Sequence, residues 1–282
     1  MTSDRLVQFT NDSLTFDVVD SGPLDGIPVV LLHGFPLRSS SWDEVVGLLH
    51  ERGYRTYAPD QRGYSPGARP RGRWAYRMSK LVGDTVALIS AIDSGPVHLI
   101  GHDWGATVAW STAAQRPELL QTLTTLAVPH SSAFLRSMLS SKQFFLSYYM
   151  GLFQIPVVPE LFFRRRPDAV KKLSMESGMT EEMVAEFREE IVDGGALTGS
   201  LNWYRALWII GPRTGRRKVS VPTSHIFGAE DAALTLRGAE LTAKYVTGPY
   251  DLCVLEGVSH WIPEEAAADV VGIFDTAARS ER

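Results

Sequence analysis

Val97-His98-Leu99-Ile100-Gly101-His102-Asp103-Trp104-Gly105-Ala106 is the stretch that decides the fold. An apolar run typical of a strand ends at Gly101, and helix-forming sequence begins after Gly105. A polar residue between close glycines at such a junction is the pattern of a nucleophile elbow, a tight strand-to-helix turn that presents one side chain. A larger residue at either glycine would collide with the neighbouring strand or helix. The pattern therefore predicts that Asp103 is presented at the tip of the turn.

The residue at the tip is an aspartate, which limits the reactions available to it. Attack by a carboxylate on an ester would give an anhydride, so Asp103 is unsuited to ordinary acyl transfer. Displacement at a saturated carbon instead leaves an alkyl ester on Asp103, which water can hydrolyse. The sequence therefore predicts alkyl-ester chemistry at this position.

Length and composition fit one globular α/β domain that carries an insertion. The chain has 282 residues, of which 44% are hydrophobic and 21% charged. A formal net charge of -4 argues against nucleic acid or an anionic membrane as the main partner. Cys253 is the only cysteine and cannot form an internal disulfide, and no signal-peptide pattern is visible, so we expect a reducing, cytoplasmic location.

Strand-like apolar runs alternate with helix-periodic segments in both outer parts of the chain. The predicted strands are 6–9, 14–19, 28–32, 54–58, 97–100, 120–128, 221–227 and 250–255. Such alternation predicts a mostly parallel, doubly wound sheet with right-handed crossovers. Residues 131–218 show helical periodicity without a buried strand, so we divide the chain into a core of 1–130 and 219–282 and a helical insertion of 131–218.

The longest apolar segment, residues 143–163, lies within this insertion. Its prolines and scattered polar residues make it a poor membrane span, and we expect two amphipathic pieces joined at Ile155-Pro156-Val157-Val158-Pro159. The basic run Arg164-Arg165-Arg166 that follows is typical of a solvated helix end.

A carboxylate nucleophile needs a group that activates water for the second step, and that group needs an orienting partner. His260 follows the last strand in Gly257-Val258-Ser259-His260-Trp261, and Asp231 follows the preceding strand. The chain order of nucleophile, acid and histidine is the order that the elbow predicts. Glu230, one residue from Asp231, is an alternative orienting acid.

Backbone donors for an oxyanion are also predicted. His33-Gly34-Phe35-Pro36 follows the third strand and would supply the Phe35 N–H, while Trp104 would supply the N–H after the nucleophile. Negative charge builds on the Asp103 carboxyl oxygen when water attacks its ester, so donors aimed there would assist the second step.

The remaining polar residues of interest are predicted to be structural. We expect His50, His98 and His102 to pack within the fold, and His33 to hydrogen-bond within its own turn. Asp60 and Arg62 are expected to form an ion pair that braces their loop.

Over nearly its full length the chain resembles the α/β-hydrolase superfamily, and within it the epoxide hydrolases. The motifs that carry the resemblance are His33-Gly34-Phe35-Pro36, Asp60-Gln61-Arg62-Gly63-Tyr64, Gly101-His102-Asp103-Trp104-Gly105, Asn202-Trp203-Tyr204-Arg205 and Gly257-Val258-Ser259-His260-Trp261. The resemblance implies an α/β-hydrolase fold with an eight-stranded sheet, a helical cap inserted after the sixth strand, and hydrolysis of an epoxide to a vicinal diol without metal or organic cofactor. One departure is Ser65-Pro66-Gly67, since many relatives have a glycine directly after the aromatic residue of this loop.

Epoxide hydrolases carry two cap tyrosines that hold and protonate the epoxide oxygen. Tyr204 matches the second, and the first is expected a few residues before Phe153-Gln154-Ile155-Pro156, which selects Tyr149 with Tyr148 as an alternate. A phenol of pKa about 10 can donate to a developing alkoxide while staying protonated at neutral pH.

The predicted substrate is a small apolar or aromatic epoxide, with water as co-substrate. Phe35 and Trp104, with Phe153 and Trp203 of the cap, are the predicted binding side chains, and the cap also offers Phe144, Phe145, Met150 and Trp208. Monomer and homodimer both remain open.

Two other functions compete with epoxide hydrolysis. A haloalkane or haloacetate dehalogenase would use the same aspartate and histidine. However, Phe35 stands where an asparagine often holds halide, and Trp104 stands where fluoroacetate dehalogenases usually have arginine. A ligand-binding protein that keeps the hydrolase shell without turnover is the second alternative.

Overall fold

The computed structural model describes residues 4–209 and 217–280. Its centre is an eight-stranded sheet with the order β1-β2-β4-β3-β5-β6-β7-β8. The strands are β1 Gln8–Asn11, β2 Leu14–Ser21, β3 Ile27–Leu32, β4 Tyr54–Pro59, β5 Val97–His102, β6 Leu120–Leu126, β7 Thr223–Gly228 and β8 Tyr250–Leu255. β2 pairs antiparallel with β1 and β4, whereas the pairs from β4 to β8 are parallel. The predicted α/β fold with a mostly parallel, eight-stranded sheet is confirmed.

Helices cover both faces of the sheet. The core helices are α1 Asp43–Glu51, α2 Met78–Ile92, α3 Trp104–Gln115, α11 Leu236–Thr242, α12 Ile262–Glu265 and α13 Ala267–Ser280. Apolar residues of α2 and α3 pack in one buried cluster, and those of α1 and α13 pack in a second. Because both faces are covered, β5 is buried along its whole length, which explains its continuous apolar sequence.

The β1–β2 hairpin is tighter than expected. The predicted connection of residues 10–13 is reduced to Asp12 and Ser13, which both have positive φ angles of 50° and 61°. A two-residue turn of this handedness matches the twist of the two strands, so pairing continues to Asn11 and Leu14.

Between β6 and β7 the described chain is helical. These helices are α4 Ser131–Ser140, α5 Gln143–Leu146, α6 Tyr148–Leu152, α7 Val158–Arg165, α8 Pro167–Glu176, α9 Glu181–Glu186 and α10 Leu197–Ala206, with a π-helical segment at Phe187–Asp193. We refer to this insertion as the cap; its bounds, 131–218, remain a prediction. The two pieces expected in 143–163 lie on either side of the predicted join, α5 with α6 before it and α7 after it. The first piece is divided in two because the backbone leaves the helical course at Ser147. Within the described residues no helix combines the length and apolarity needed to cross a bilayer.

The expected ion pair between Asp60 and Arg62 is wrong. Arg62 instead makes a two-pronged contact with Asp84 on α2, at 2.6 and 2.7 Å. Asp60 pairs with Arg38, which also contacts Glu190 in the cap. A guanidinium favours a carboxylate that it can meet with two parallel N–H groups, and Asp84 lies in that position. The Arg38 contacts therefore tie the cap to the core beside the site.

Candidate active site

Asp103 lies at the strained turn between β5 and α3. Its φ and ψ angles are 50° and -117°, a conformation that residues with side chains rarely adopt. A Cβ added to Gly105 would lie 1.9 Å from the carbonyl oxygen of Leu32, and one added to Gly101 would lie 2.5 Å from that of Gly105. The chain therefore folds as the predicted elbow, and both glycines are sterically required.

His260 lies between two carboxylates. Its Nδ1 donates a hydrogen bond to Oδ2 of Asp231 at 2.7 Å, and its Nε2 lies 3.5 Å from Oδ2 of Asp103. The other oxygen of Asp231 accepts hydrogen bonds from the backbone N–H groups of Ala233 and Leu234 at 2.8 and 2.9 Å. The Asp231 side chain is fully buried, so its carboxylate is held in one orientation against the imidazole.

The charges of these residues are coupled. Burial alone would lower the pKa of His260, but the carboxylates of Asp231 and Asp103 raise it well above its usual value. Burial alone would raise the pKa of Asp103, but the hydrogen bond and charge of His260 lower it. The resting site thus favours an imidazolium next to an ionised nucleophile.

Two backbone N–H groups meet the Asp103 carboxylate. The Phe35 N–H donates to Oδ1 at 2.8 Å, and the backbone N–H of Trp104 contributes to lowering the pKa of the carboxyl group. Close approach requires Gly34, where a Cβ would lie 2.4 Å from the Asp103 Cβ. The residues predicted to form an oxyanion hole are therefore placed at the nucleophile.

The neighbouring histidines support the site without entering it. His33 Nδ1 lies 3.1 Å from the Gly34 carbonyl oxygen, within its own turn as expected, and His33 Nε2 accepts a hydrogen bond from the Gln61 backbone N–H at 3.1 Å. His102 Nε2 lies 2.8 Å from the His260 carbonyl oxygen. Burial lowers the pKa of His102 to about 4, so its neutral ring donates this bond and fixes the His260 backbone.

Two cap tyrosines lie above the nucleophile. The rings of Tyr149 and Tyr204 lie 6.1 Å apart, and the Tyr204 ring lies 4.9 Å from the Trp104 ring. Burial and the Asp103 charge raise the pKa of both tyrosines, in each case with burial as the larger cause. Both phenols are therefore protonated at neutral pH and lie within the field of the nucleophile.

The exposed fractions of the side chains distinguish Tyr149 from Tyr148 as the first cap tyrosine, and Asp231 from Glu230 as the acid that orients His260. The Tyr148 ring is 66% exposed, whereas Tyr149 packs against Phe153 and Tyr204. Glu230 is exposed, and the structure places Asp231 alone of the two acids against His260.

An aromatic wall surrounds Phe35 at the site. Its ring lies within 5.5–6.4 Å of four other rings, which belong to Phe153, Phe163, Phe187 and Tyr204. Phe163 and Phe187 could not be found from the sequence. Phe163 is the last residue of an apolar segment, and Phe187 lies on a π-helical turn, where the usual helical periodicity does not predict which residues point inward.

Other predicted cap contacts are placed differently. Trp203 is buried, its indole N–H donates to the Arg62 carbonyl oxygen at 2.7 Å, and its ring packs against the Trp104 ring, 5.7 Å away. Phe144 and Phe145 do not line the site, since they are 61% and 75% exposed on the outside of the cap. They face outward because Gln143, on the same short helix, takes the inward position. The Trp208 side chain lies outside the described part.

Arg205 and Glu264 are two further residues that sequence reasoning missed. Arg205 forms a buried pair with Glu160 at 2.7 Å and donates to the Phe153 and Ile155 carbonyl oxygens at 3.0 and 3.1 Å. It therefore positions the chain that follows Tyr149. Glu264 lies four residues after His260. Both of its carboxyl oxygens are buried without a hydrogen-bond partner among the described residues, and burial raises its pKa to about 8.

Metal-ligating side chains do not cluster in the described ranges, where no group of three or more His, Cys, Asp or Glu side chains is arranged to hold a metal ion.

Comparison with known proteins identifies the family. The model of the alpha/beta hydrolase family matches residues 29–273. The AB hydrolase superfamily protein YfhM of Bacillus subtilis is 36% identical over 93% of this chain and 94% of its own length, and epoxide hydrolase 3 of Xenopus tropicalis is 32% identical over 94% and 74%. The crystal structure of epoxide hydrolase A from Mycobacterium thermoresistibile superposes with a TM-score of 0.82 at 25% identity, covering 96% of this chain and 97% of that one. The chain belongs to the α/β-hydrolase family and, within it, to the epoxide hydrolases.

Proposed function

We propose that this protein hydrolyses an epoxide to a vicinal diol through a covalent alkyl ester on Asp103. The observation that carries the proposal is a pair of protonated phenols near a carboxylate nucleophile, those of the buried Tyr204 and the partly buried Tyr149. Relatives named epoxide hydrolases support the same reaction.

In the first step Asp103 attacks a ring carbon and the C–O bond of the epoxide breaks. Oδ1 is held by the Phe35 N–H at 2.8 Å, so Oδ2 is the oxygen that forms the new bond and Oδ1 becomes the ester carbonyl. Tyr149 and Tyr204 donate to the departing oxygen, which needs a proton as it becomes an alcohol. Two donors on different helices also fix this oxygen, and so the ring carbon, relative to Asp103.

Ester formation changes the protonation of the site. It removes the Asp103 charge, which is one of the causes that raise the pKa of His260, Tyr149 and Tyr204. The imidazolium becomes a stronger acid once the ester has formed, and it can then return a proton to the phenol that protonated the departing oxygen. His260 is then neutral, as a general base must be.

In the second step neutral His260 takes a proton from water, and the hydroxide attacks the carbonyl carbon of the ester. Negative charge builds on Oδ1, to which the Phe35 N–H already donates, and the Trp104 N–H, at the start of α3, is the second donor for this charge. The bond between the Asp103 carboxyl carbon and Oδ2 then breaks, and Oδ2 leaves on the substrate as the second hydroxyl oxygen of the diol. The imidazolium protonates this leaving oxygen and takes up the proton of the new Asp103 carboxyl group, which restores the carboxylate and the charged resting site. Asp231 stabilises the imidazolium that forms and keeps Nε2 directed at the reaction.

The aromatic side chains around Phe35 indicate the substrate class. Phe153, Phe163 and Phe187 present hydrocarbon to the site, so we expect a small epoxide with an apolar or aromatic substituent, together with water. A charged substituent would lose its hydration against these rings. A cytoplasmic location remains a prediction from the sequence.

Product analysis on a panel of epoxides, with halide release from haloalkanes and fluoroacetate measured in parallel, tests this function. We expect diol from an aryl epoxide such as styrene oxide and no halide release. Halide release without diol formation would make the protein a dehalogenase, and tight epoxide binding without turnover would make it a binding protein.

A further inference from the structure

The outer face of the cap is apolar to an unusual degree. In the part of the chain that the structure describes, eleven of nineteen exposed large apolar side chains lie between residues 135 and 162. We call them the outer cap surface: Leu135, Leu139, Phe144, Phe145, Tyr148, Leu152, Ile155, Val157, Val158, Leu161 and Phe162. Scattered exposed apolar residues need no explanation, but a concentration of this size marks an interaction site.

Helical spacing places several of these side chains on one side of their helices. Leu135 and Leu139 lie four residues apart on α4, and Tyr148 and Leu152 lie four residues apart on α6. Tyr149 and Phe153, each one residue further along, turn inward and contact Tyr204. The helix that carries the first site tyrosine thus has an apolar outer face of its own.

Charge at this surface has one sign. Residues 131–166 contain five basic side chains, all exposed: Arg136, Lys142, Arg164, Arg165 and Arg166. The single acidic residue of this segment, Glu160, is buried against Arg205. None of the five basic side chains forms an ion pair with a residue in 4–209 or 217–280. A chain with a net charge of -4 therefore presents a locally cationic, apolar face.

We infer that the outer cap surface docks on an anionic phospholipid bilayer. Leucine and aromatic side chains that enter the headgroup region, with arginine and lysine beside them, are the combination that holds a protein in the plane of a membrane surface. The negative charge of the remaining chain would turn this face toward an anionic bilayer.

A second copy of the chain fits this surface less well. A two-fold dimer brings the same patch of both copies together, so ten cations would meet without an acidic counterpart on the surface segment. Anionic headgroups supply the charge that such a dimer lacks. Bilayer contact would place lipid about 10 Å from Tyr149, the diameter of the helix between them.

Co-sedimentation of the full chain with vesicles tests the inference. We expect binding to an equal mixture of phosphatidylcholine and phosphatidylserine, weaker binding to phosphatidylcholine alone, and release at high salt. The double variant Phe144→Ser/Phe145→Ser should bind at least tenfold more weakly to both vesicle types. Arg164→Gln/Arg165→Gln should lose about fivefold per charge, and only on the anionic vesicles.

Trp74→Ser is the matched control, because Trp74 is a 62% exposed aromatic residue on the core. It should bind vesicles as the wild type does. All variants should unfold at the wild-type temperature, since exposed positions rarely affect stability. Absence of wild-type binding to anionic vesicles would overturn the inference, as would equal losses in Trp74→Ser. A lipid-free dimer dissociated by Phe144→Ser/Phe145→Ser would assign the surface to a second copy instead, and vesicle-independent capture of an acidic amphipathic peptide would assign it to a protein.

Discussion

Replacement of Asp231 by asparagine tests how His260 is held. Oδ1 of Asp231 accepts two backbone hydrogen bonds, from Ala233 and Leu234, and Oδ2 accepts one from His260 Nδ1. In Asp231→Asn the amide oxygen must keep the first position, because an NH₂ group cannot accept the two N–H donors. The NH₂ group then faces His260 Nδ1 and donates to it.

This hydrogen bond reverses the tautomer of the imidazole. His260 Nδ1 becomes an acceptor, its Nε2 carries the proton, and Nε2 no longer accepts a proton from water. A comparable aspartate-to-asparagine change in a serine protease lowers turnover by about 10⁴, so we expect a loss of about 10³–10⁴-fold in ester hydrolysis. That loss corresponds to roughly 4–5 kcal/mol of transition-state stabilisation. Formation of the ester depends on Asp103 and the tyrosines and should be largely retained.

Rapid mixing of Asp231→Asn with styrene oxide separates the two steps. We expect a fast first phase in which an ester accumulates on Asp103, followed by slow release of the diol. Glu230→Gln is the matched control, since Glu230 is exposed next to Asp231, and its kinetics should equal those of the wild type. Steady-state turnover of Asp231→Asn within threefold of the wild type would show that Asp231 does not set the tautomer of His260.

Three further variants address the cap and the buried charges. Tyr149→Phe and Tyr204→Phe should each slow ester formation about 10–100-fold, because each removes one of two donors to the epoxide oxygen. The double variant should form no ester detectable by mass, and unchanged single-turnover rates would exclude the tyrosines as donors. Arg205→Met should lower the free energy of unfolding by about 3–5 kcal/mol, because it leaves Glu160 buried and unpaired. In Arg205→Met/Glu160→Met most of that loss should be recovered, and urea denaturation of both variants measures the difference. Glu264→Met should raise stability at pH 9 but little at pH 4. The folded chain holds the Glu264 proton up to a pKa of about 8, whereas the unfolded chain releases it near the usual 4.5, so wild-type stability falls as the pH rises between these values, by on the order of 5 kcal/mol. Thermal unfolding of both proteins at several pH values measures this difference, and an equal gain at all pH values would contradict it.

The sequence predicts the core of this protein well because the features that decide it are local. A parallel strand covered on both faces must be continuously apolar, and the elbow requires glycine on each side of the nucleophile for steric reasons that the structure confirms at Gly101 and Gly105. Asp231 and His260 were found because each follows a strand at the same edge of the sheet.

The errors concern contacts between distant segments. Asp60 and Arg62 are near in sequence, yet each pairs with a partner more than twenty positions away, Arg38 and Asp84. The orientation of Phe144 depends on which face of a four-residue helix meets the core, and so short a segment carries almost no periodicity.

The proposed reaction depends on a covalent ester on Asp103 that His260 removes. The intact and peptide masses of His260→Gln after incubation with styrene oxide measure this ester, with wild type and Asp103→Asn/His260→Gln as controls. We expect His260→Gln to gain the mass of one substrate molecule on the peptide that contains Asp103, and neither control to gain it. A folded His260→Gln variant that binds styrene oxide without gaining mass, or that gains it at a residue other than Asp103, would exclude the covalent ester on Asp103.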